Sequence, residues 1–243
     1  AGVLNSIGLQ NPGKDAFFAQ TMPRVLAALE RDQIVVSVGG DTIEDYVALC
    51  RETEARFGGR IAALELNAAC PNVSHGAGFY SRDPQAAREL VQAVREAVVL
   101  PVFLKFNTNF PNYLEVAAAV EAAGADALYT TNTPLGMKID LHRRRPALGN
   151  GRGPICGPAI RPIGVLRTWE LYEAVRLPII ASGGIRTWED AVEYLLAGAC
   201  AVGVGSAQFV QPDAASDILS GLERYAAAEG LECLTPLVGA AHP

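Results

Sequence analysis

Short apolar runs alternate along the chain with longer stretches whose apolar residues recur at helical spacing. Six of the short runs are rich in β-branched residues and almost continuously apolar, which is typical of strands buried on both faces of a parallel sheet. The pattern therefore predicts six strands, at residues 34–38, 61–66, 102–106, 127–131, 179–182 and 201–204.

The stretches between these runs predict helices that begin at recognisable capping residues. Asp41 or Thr42 begins one helix, Pro84 stands in the first turn of another that runs to about Val98, and Gly124 ends a third. Strands that alternate with helices indicate a parallel α/β fold. The predicted helices cover residues 15–31, 84–98, 111–123, 159–175, 187–197 and 213–228, and a further helix begins at residue 41 or 42.

Two architectures fit this alternation, an open doubly wound sheet and a closed (β/α)₈ barrel. A barrel needs eight strands, and only six runs are strong. The two others are either weak or lie upstream of Ala1, and we expect the second because the chain begins in the middle of the pattern. No linker divides the chain, so we expect one domain over residues 1–243.

Composition narrows the class of protein. The 243 residues are 50% hydrophobic and 19% charged, which excludes a wholly disordered chain, and a net charge of −6 argues against nucleic-acid binding. Apolar stretches fall far short of the ~20 residues of a membrane span, and no signal peptide is visible at the start. Five widely spaced cysteines and three histidines predict no metal site, and a reducing cytoplasm fits best.

The candidate chemistry lies in the loops that follow the strands, where such folds gather their active sites. Asn67, Cys70 and Asn72 follow the second strand, and two amides beside a thiol suit a planar ligand with amide edges. Cys70 stands where a general base or a nucleophile would stand. Asn132 and Thr133 add an amide and a hydroxyl after the fourth strand.

Other loops favour an anionic ligand. Lys105 ends a buried strand, where an unpaired lysine is costly unless it meets an anion or a polar ligand. Glycine-rich turns predict a phosphate site on backbone N–H groups, because the loops after the last two strands form the recurring phosphate site of barrels. These turns contain Gly183 and Gly184, then Gly205 and Ser206, and a further glycine-rich segment leads through Gly157 into a helix.

These motifs together resemble the dihydroorotate dehydrogenases, flavin enzymes of pyrimidine biosynthesis. The cysteine of the Cys-Pro-Asn motif resembles class 1, and the residues around His75 and Ile139 are closest to class 1B. The resemblance covers nearly the whole chain. It rests on residues 4–13, 65–73, 132–133 with Gly136, 157–162, 183–185 and 204–207.

The resemblance implies a (β/α)₈ barrel that binds FMN and oxidises dihydroorotate to orotate. Cys70 would take the C5 proton while the C6 hydride passes to flavin N5. Lys105 would lie by the pyrimidine edge of the flavin. The substrate would contact Asn5, Asn67, Asn72, Asn132 and Thr133, and FMN would contact Gly157, Gly183, Gly184, Gly205 and Ser206.

Class 1B also implies a partner subunit with FAD and a 2Fe–2S cluster that passes electrons to NAD, and hence a homo- or hetero-oligomer. The chain departs from the pattern of this family at three places, and these departures keep alternatives open. The family's N-terminal lysine has no counterpart after Ala1. Asn107 and Thr108 stand before Asn109, and Ala68 and Ala69 precede the cysteine, where the family usually has other residues. The alternatives are another FMN barrel acting on a cyclic amide or dihydropyrimidine, a non-catalytic or truncated barrel subunit, and, more weakly, a flavin-free isomerase of sugar phosphates.

Overall fold

A six-stranded parallel sheet forms the centre of the computed structural model, which describes residues 2–69 and 77–243. Neighbouring strands are also consecutive strands of the parallel set, so the order contains no reversal. A doubly wound sheet reverses its strand order at a switch point, whereas a barrel sheet does not. The strands, in spatial order, are β2 (Val35–Val38), β3 (Ala63–Asn67), β4 (Val102–Lys105), β5 (Ala127–Thr130), β10 (Ile179–Ser182) and β11 (Ala201–Gly203).

The six predicted strands are therefore confirmed, and their bounds shift by no more than two residues. The parallel α/β class is confirmed as well. Within the described ranges β2 and β11 are the two edges of this sheet, so these residues alone do not close it into a barrel.

Helices follow the strands and cover one face of the sheet, much as their capping residues predict. Thr42 accepts from Asp45 N at the start of α3, and Thr187 accepts from Asp190 N at the start of α8. The helices are α1 (Lys14–Ala16), α2 (Met22–Ala28), α3 (Ile43–Phe57), α4 (Ala77–Tyr80), α5 (Pro84–Arg95), α6 (Tyr113–Ala122), α7 (Arg161–Ala174), α8 (Trp188–Leu196) and α9 (Ala214–Ala228).

The first predicted helix, residues 15–31, is wrong as a single helix. A π-helical turn at Phe17–Thr21 separates α1 from α2, and α2 ends at Ala28. Pro23 has no N–H to donate to the carbonyl four residues earlier, so the regular α-helical pattern is interrupted here. A short 3₁₀-helix at Ser206–Phe209 follows β11.

The two faces of the parallel sheet differ in chemistry because side chains alternate along each strand. Leu64, Leu66, Leu104 and Leu128 are fully buried in the main hydrophobic core. The opposite face carries Asn67, Lys105 and Tyr129 at one level, since Asn67 is registered with Lys105 and Lys105 with Tyr129. This level lies at the carboxyl ends of the strands, where the sequence places the chemistry.

Short antiparallel pieces, which the sequence does not predict, lie beside this end of the sheet. β9 (Gly153–Cys156) pairs with β1 (Val3–Leu4) on one side and with β6 (Leu135–Gly136) on the other. β7 (Ile139–Asp140) and β8 (Arg145–Pro146) form a separate hairpin. The glycine-rich segment before Gly157 is thus partly a strand. Across residues 2–69 and 77–243, every helix is too short or too polar to cross a bilayer.

Candidate functional site

A cavity opens at the carboxyl ends of β4, β5, β10 and β11. Five glycines, several hydroxyl and amide side chains and one cation line it. Lys105 is the one charged side chain among the described lining residues. They are Lys105, Tyr129, Thr131, Asn132, Thr133, Cys156, Gly157, Ile160, Ser182, Gly183, Gly184, Ile185, Gly203, Val204, Gly205 and Ser206.

Most of the predicted site residues come together here. Cys70 and Asn72 lie outside the described residues, and Asn5 and Asn67 lie next to the cavity without lining it. The Asn5 amide is 4.0 Å from the Cys156 thiol, which does line it. The predicted residues found in the lining are Lys105, Asn132, Thr133, Gly157, Gly183, Gly184, Gly205 and Ser206.

Three side chains hold the backbone that leads from β3 towards Cys70. The Tyr46 hydroxyl donates to the Asn67 carbonyl at 2.9 Å, and the Ser81 hydroxyl donates to the Ala68 carbonyl at 2.7 Å. The Asn132 amide donates to the Ala69 carbonyl at 2.6 Å. Three consecutive carbonyls are therefore bound from three different elements. Tyr46 and Ser81 are fully buried, so water does not compete for these bonds.

Asn109 joins the loop after β4 to the loop after β5. Its amide donates to the side chain of Asn107 at 2.6 Å and lies 3.4 and 3.3 Å from the carbonyls of Asn132 and Thr133. Asn107 N donates in turn to Ser81 Oγ at 2.9 Å. Asn107 therefore supports Asn109, which in turn contacts the backbone of the predicted substrate residues Asn132 and Thr133.

Lys105 projects from the end of β4 over an aromatic ring. Its Nζ lies 4.8 Å from the centre of the Tyr129 ring, and the described chain offers it no carboxylate within ion-pair distance. The Tyr129 hydroxyl occupies the place where Gly203 would carry a side chain, so only glycine leaves room for that ring. The ammonium therefore remains available to an anion or to a polar ring edge.

The glycine turns present backbone N–H groups to the cavity. Gly183 and Gly184 have φ values of 123° and 77°, in the region that only glycine adopts readily. Among the described residues, none accepts a hydrogen bond from the N–H groups of Gly183, Gly184 or Gly205. A Cβ added at Gly205 would meet no heavy atom within 4 Å. Unpaired N–H groups beside open space are suited to binding an anion.

Eight of the sixteen described lining residues are not among the predicted site residues, and Tyr129, Gly203 and Cys156 are three of them. Tyr129 and Gly203 depend on each other across two strands, and only the strand register reveals that relation. Cys156 is also in the lining, and its thiol lies 3.6 Å from the Val3 carbonyl. The alternation of side chains along β5 was an available signal, since it directs Ala127 and Tyr129 towards the same face as Lys105.

Comparison with known proteins gives a consistent result. The chain matches the sequence model of the dihydroorotate dehydrogenase family over residues 1–225. It is 43% identical over 242 residues to the catalytic subunit of dihydroorotate dehydrogenase B (NAD(+)) of Desulforamulus reducens, covering 100% of this chain and 78% of that protein. The subunit of the same name from Desulforudis audaxviator is 44% identical with the same coverage, and that of Geobacter sulfurreducens is 43% identical over 98% and 77%.

Proposed function

The chain belongs to the dihydroorotate dehydrogenase family. From this premise we propose that it binds FMN in its cavity and that the protein, with FMN bound, oxidises dihydroorotate to orotate. The observation that carries the proposal is one cavity that combines unpaired glycine N–H groups, one cation and a set of amide side chains. These are the groups needed for a phosphate, a flavin edge and a cyclic imide with a carboxylate.

The residues present fit FMN. A phosphate dianion suits the N–H groups of Gly183, Gly184 and Gly205, because backbone donors bind phosphate without a neighbouring lysine. The space at Gly205 admits close approach of the anion. Lys105 is free to stand at the pyrimidine edge of the flavin, where a positive charge favours the reduced anionic ring. FMN, when bound, supplies the acceptor for the hydride.

The substrate is held on the other side of the cavity. Asn132 and Thr133 line it, and Asn5 and Asn67 adjoin it, so amide donors and acceptors surround a ring that itself has amide edges. The carbonyls of Asn67, Ala68 and Ala69, which precede Cys70 in the sequence, are each fixed by a side-chain hydrogen bond. In the proposal, Cys70 accepts the C5 proton of dihydroorotate as the C6 hydride leaves.

A cysteine base has to be a thiolate at the moment of reaction. Its ordinary pKa of about 8.5 leaves a few per cent in that form at neutral pH. The deprotonated fraction therefore grows with pH, and we expect the rate of flavin reduction to rise with pH through the alkaline range of a thiol.

Electrons leave the flavin for a second protein. The relatives are named catalytic subunits of NAD(+)-dependent enzymes, and a catalytic subunit implies an electron-transfer partner. We propose that this partner carries FAD and a 2Fe–2S cluster and passes electrons to NAD, in a hetero-oligomer located in the cytoplasm. We also propose that the domain is a closed (β/α)₈ barrel, which the sequential order of the six parallel strands supports.

The function is tested by orotate formation from dihydroorotate with a dye as electron acceptor. Dihydrouracil, which has the same ring without the carboxylate, serves as the comparison substrate. The proposal predicts turnover of dihydroorotate and at least about a hundredfold lower kcat/KM for dihydrouracil, since the unmatched polar groups of the site stay unpaired. A preference for dihydrouracil would instead identify a flavin barrel acting on another cyclic amide.

A further inference from the structure

Tyr194 is a fully buried side chain with a polar end that the proposed reaction does not use. It lies on α8, directly behind the turn that follows β10. Its hydroxyl is 2.7 Å from the Gly183 carbonyl and 3.3 and 3.5 Å from those of Ser182 and Arg161. A hydroxyl has a single hydrogen, so the shortest contact identifies Gly183 as its acceptor.

This hydrogen bond determines where the next N–H group points. The carbonyl of Gly183 and the N–H of Gly184 belong to one planar trans peptide unit, in which the two groups point in opposite directions. Because the carbonyl is directed towards α8, the N–H is directed away from it. Gly183 and Gly184 line the cavity on that side, whereas Tyr194 has no exposed surface.

Glycine makes such an anchor necessary. Both residues of the turn have positive φ and no side chain, so little in the turn itself fixes the orientation of the peptide unit between them. An unanchored unit would rotate, and its N–H would no longer be aimed at an anion. A donor fixed before the anion arrives binds it without the cost of ordering the loop.

A second anchor stands one helical turn earlier on α8. Asp190 accepts from the backbone N–H groups of Arg186 and Thr187, at 2.8 and 3.1 Å, and pairs with the guanidinium of Arg161. Arg161 begins α7 four residues after Gly157, so α8 is also bound to the segment that follows the Gly157 turn. The glycine turns at Gly157 and Gly184 are in contact, because a Cβ at Gly184 would stand 2.8 Å from the Gly157 carbonyl.

We propose that Tyr194 is a positioning residue for the cofactor phosphate: its hydroxyl holds the Gly183–Gly184 peptide unit with the N–H towards the cavity. This inference rests on the proposed function, because it takes the phosphate to be that of FMN. It adds a role for α8, a helix that contributes no residue to the lining of the cavity.

The test compares FMN with riboflavin, which has the same ring system and no phosphate. Dissociation constants of both are measured on the apoprotein by flavin fluorescence, for the unchanged chain, for Tyr194→Phe and for Tyr46→Phe. The last is a matched control, since Tyr46 is equally buried and also donates to a backbone carbonyl at a strand end. Urea unfolding of each apoprotein measures the purely structural cost of the lost hydroxyl.

We expect Tyr194→Phe to weaken FMN binding about 3- to 10-fold, the worth of one net hydrogen bond, and to leave riboflavin binding unchanged. The ratio of the two constants should be unaltered in Tyr46→Phe. Equal weakening of both flavins, or no weakening of FMN, overturns the role of Tyr194. If the unchanged chain binds riboflavin as tightly as FMN, the phosphate site of the proposed function fails, and this inference fails with it.

Discussion

The open space at Gly205 gives the sharpest prediction about the cofactor site. A methyl group added there meets no heavy atom of the described chain within 4 Å, so Gly205→Ala does not collide with the folded protein. In our account the phosphate of FMN occupies that space. The methyl group therefore separates the anion from the N–H groups at residues 205 and 206, and at least one charge-assisted hydrogen bond is lost.

The magnitude follows from that single bond. A hydrogen bond to a charged group contributes about 1.5–3 kcal/mol, which corresponds to about 10- to 150-fold weaker binding of FMN. The assay is a fluorescence titration of the apoprotein with FMN, accompanied by urea unfolding without FMN. Gly59→Ala is the matched control, because Gly59 also has open space and an ordinary φ but lies in the turn after α3, away from the cavity.

The expected result is weaker FMN binding in Gly205→Ala alone. Unchanged FMN affinity in a folded Gly205→Ala variant would refute the reasoning, because the phosphate would then lie elsewhere. A similar loss in Gly59→Ala would also count against it, since the effect would then arise from the added methyl group in general and not from its place in the cavity.

Three further predictions concern the other groups of the site and the core. Cys70→Ala should slow flavin reduction by dihydroorotate by about 10²- to 10⁴-fold while FMN stays bound, whereas the control Cys200→Ser should not slow it. Stopped-flow bleaching of the flavin measures this rate, and equal rates in both variants would remove Cys70 from the mechanism. Lys105→Met should slow the same step by about tenfold or more and lower the reduction potential of bound FMN, measured by dye equilibration; an unchanged potential contradicts its place beside the flavin. Burial raises the pKa of Tyr46 and of Cys50 to about 12, so the folded chain keeps protons that the unfolded chain loses. The free energy of unfolding should therefore be highest below about pH 9 and fall as pH rises towards 12, with a shallower fall in Cys50→Ala; urea unfolding at about pH 8 and pH 11 measures both slopes.

The sequence predicts the elements whose signal is local. The buried strands appear as apolar runs, and Thr42, Thr187 and Gly124 mark helix ends by chemistry that acts within four residues. The glycine turns after β10 and β11 are recognisable for the same reason, because positive φ and close approach of a ligand both require glycine.

Features that depend on residues distant in the sequence could not be predicted from the sequence. β1 pairs with β9 about 150 residues later through two residues only, too few for any periodicity to indicate a strand. The Tyr129 ring fits because Gly203 lies two strands away, and the bond from Tyr194 to Gly183 requires the packing of α8 behind β10. Each of these relations is set by tertiary packing, so the residues alone carry no signal for it.

The alternatives raised by the departures from the family pattern make different predictions for one experiment. The chain is loaded with FMN, oxygen is removed, and its visible absorbance is recorded before and after one equivalent of dihydroorotate is added. Our account predicts that the oxidised flavin band is present, bleaches on addition, and returns when an electron acceptor is supplied, with orotate as the product. A flavin band that stays oxidised would contradict dihydroorotate as the substrate, and failure to retain any flavin would contradict the cofactor site itself.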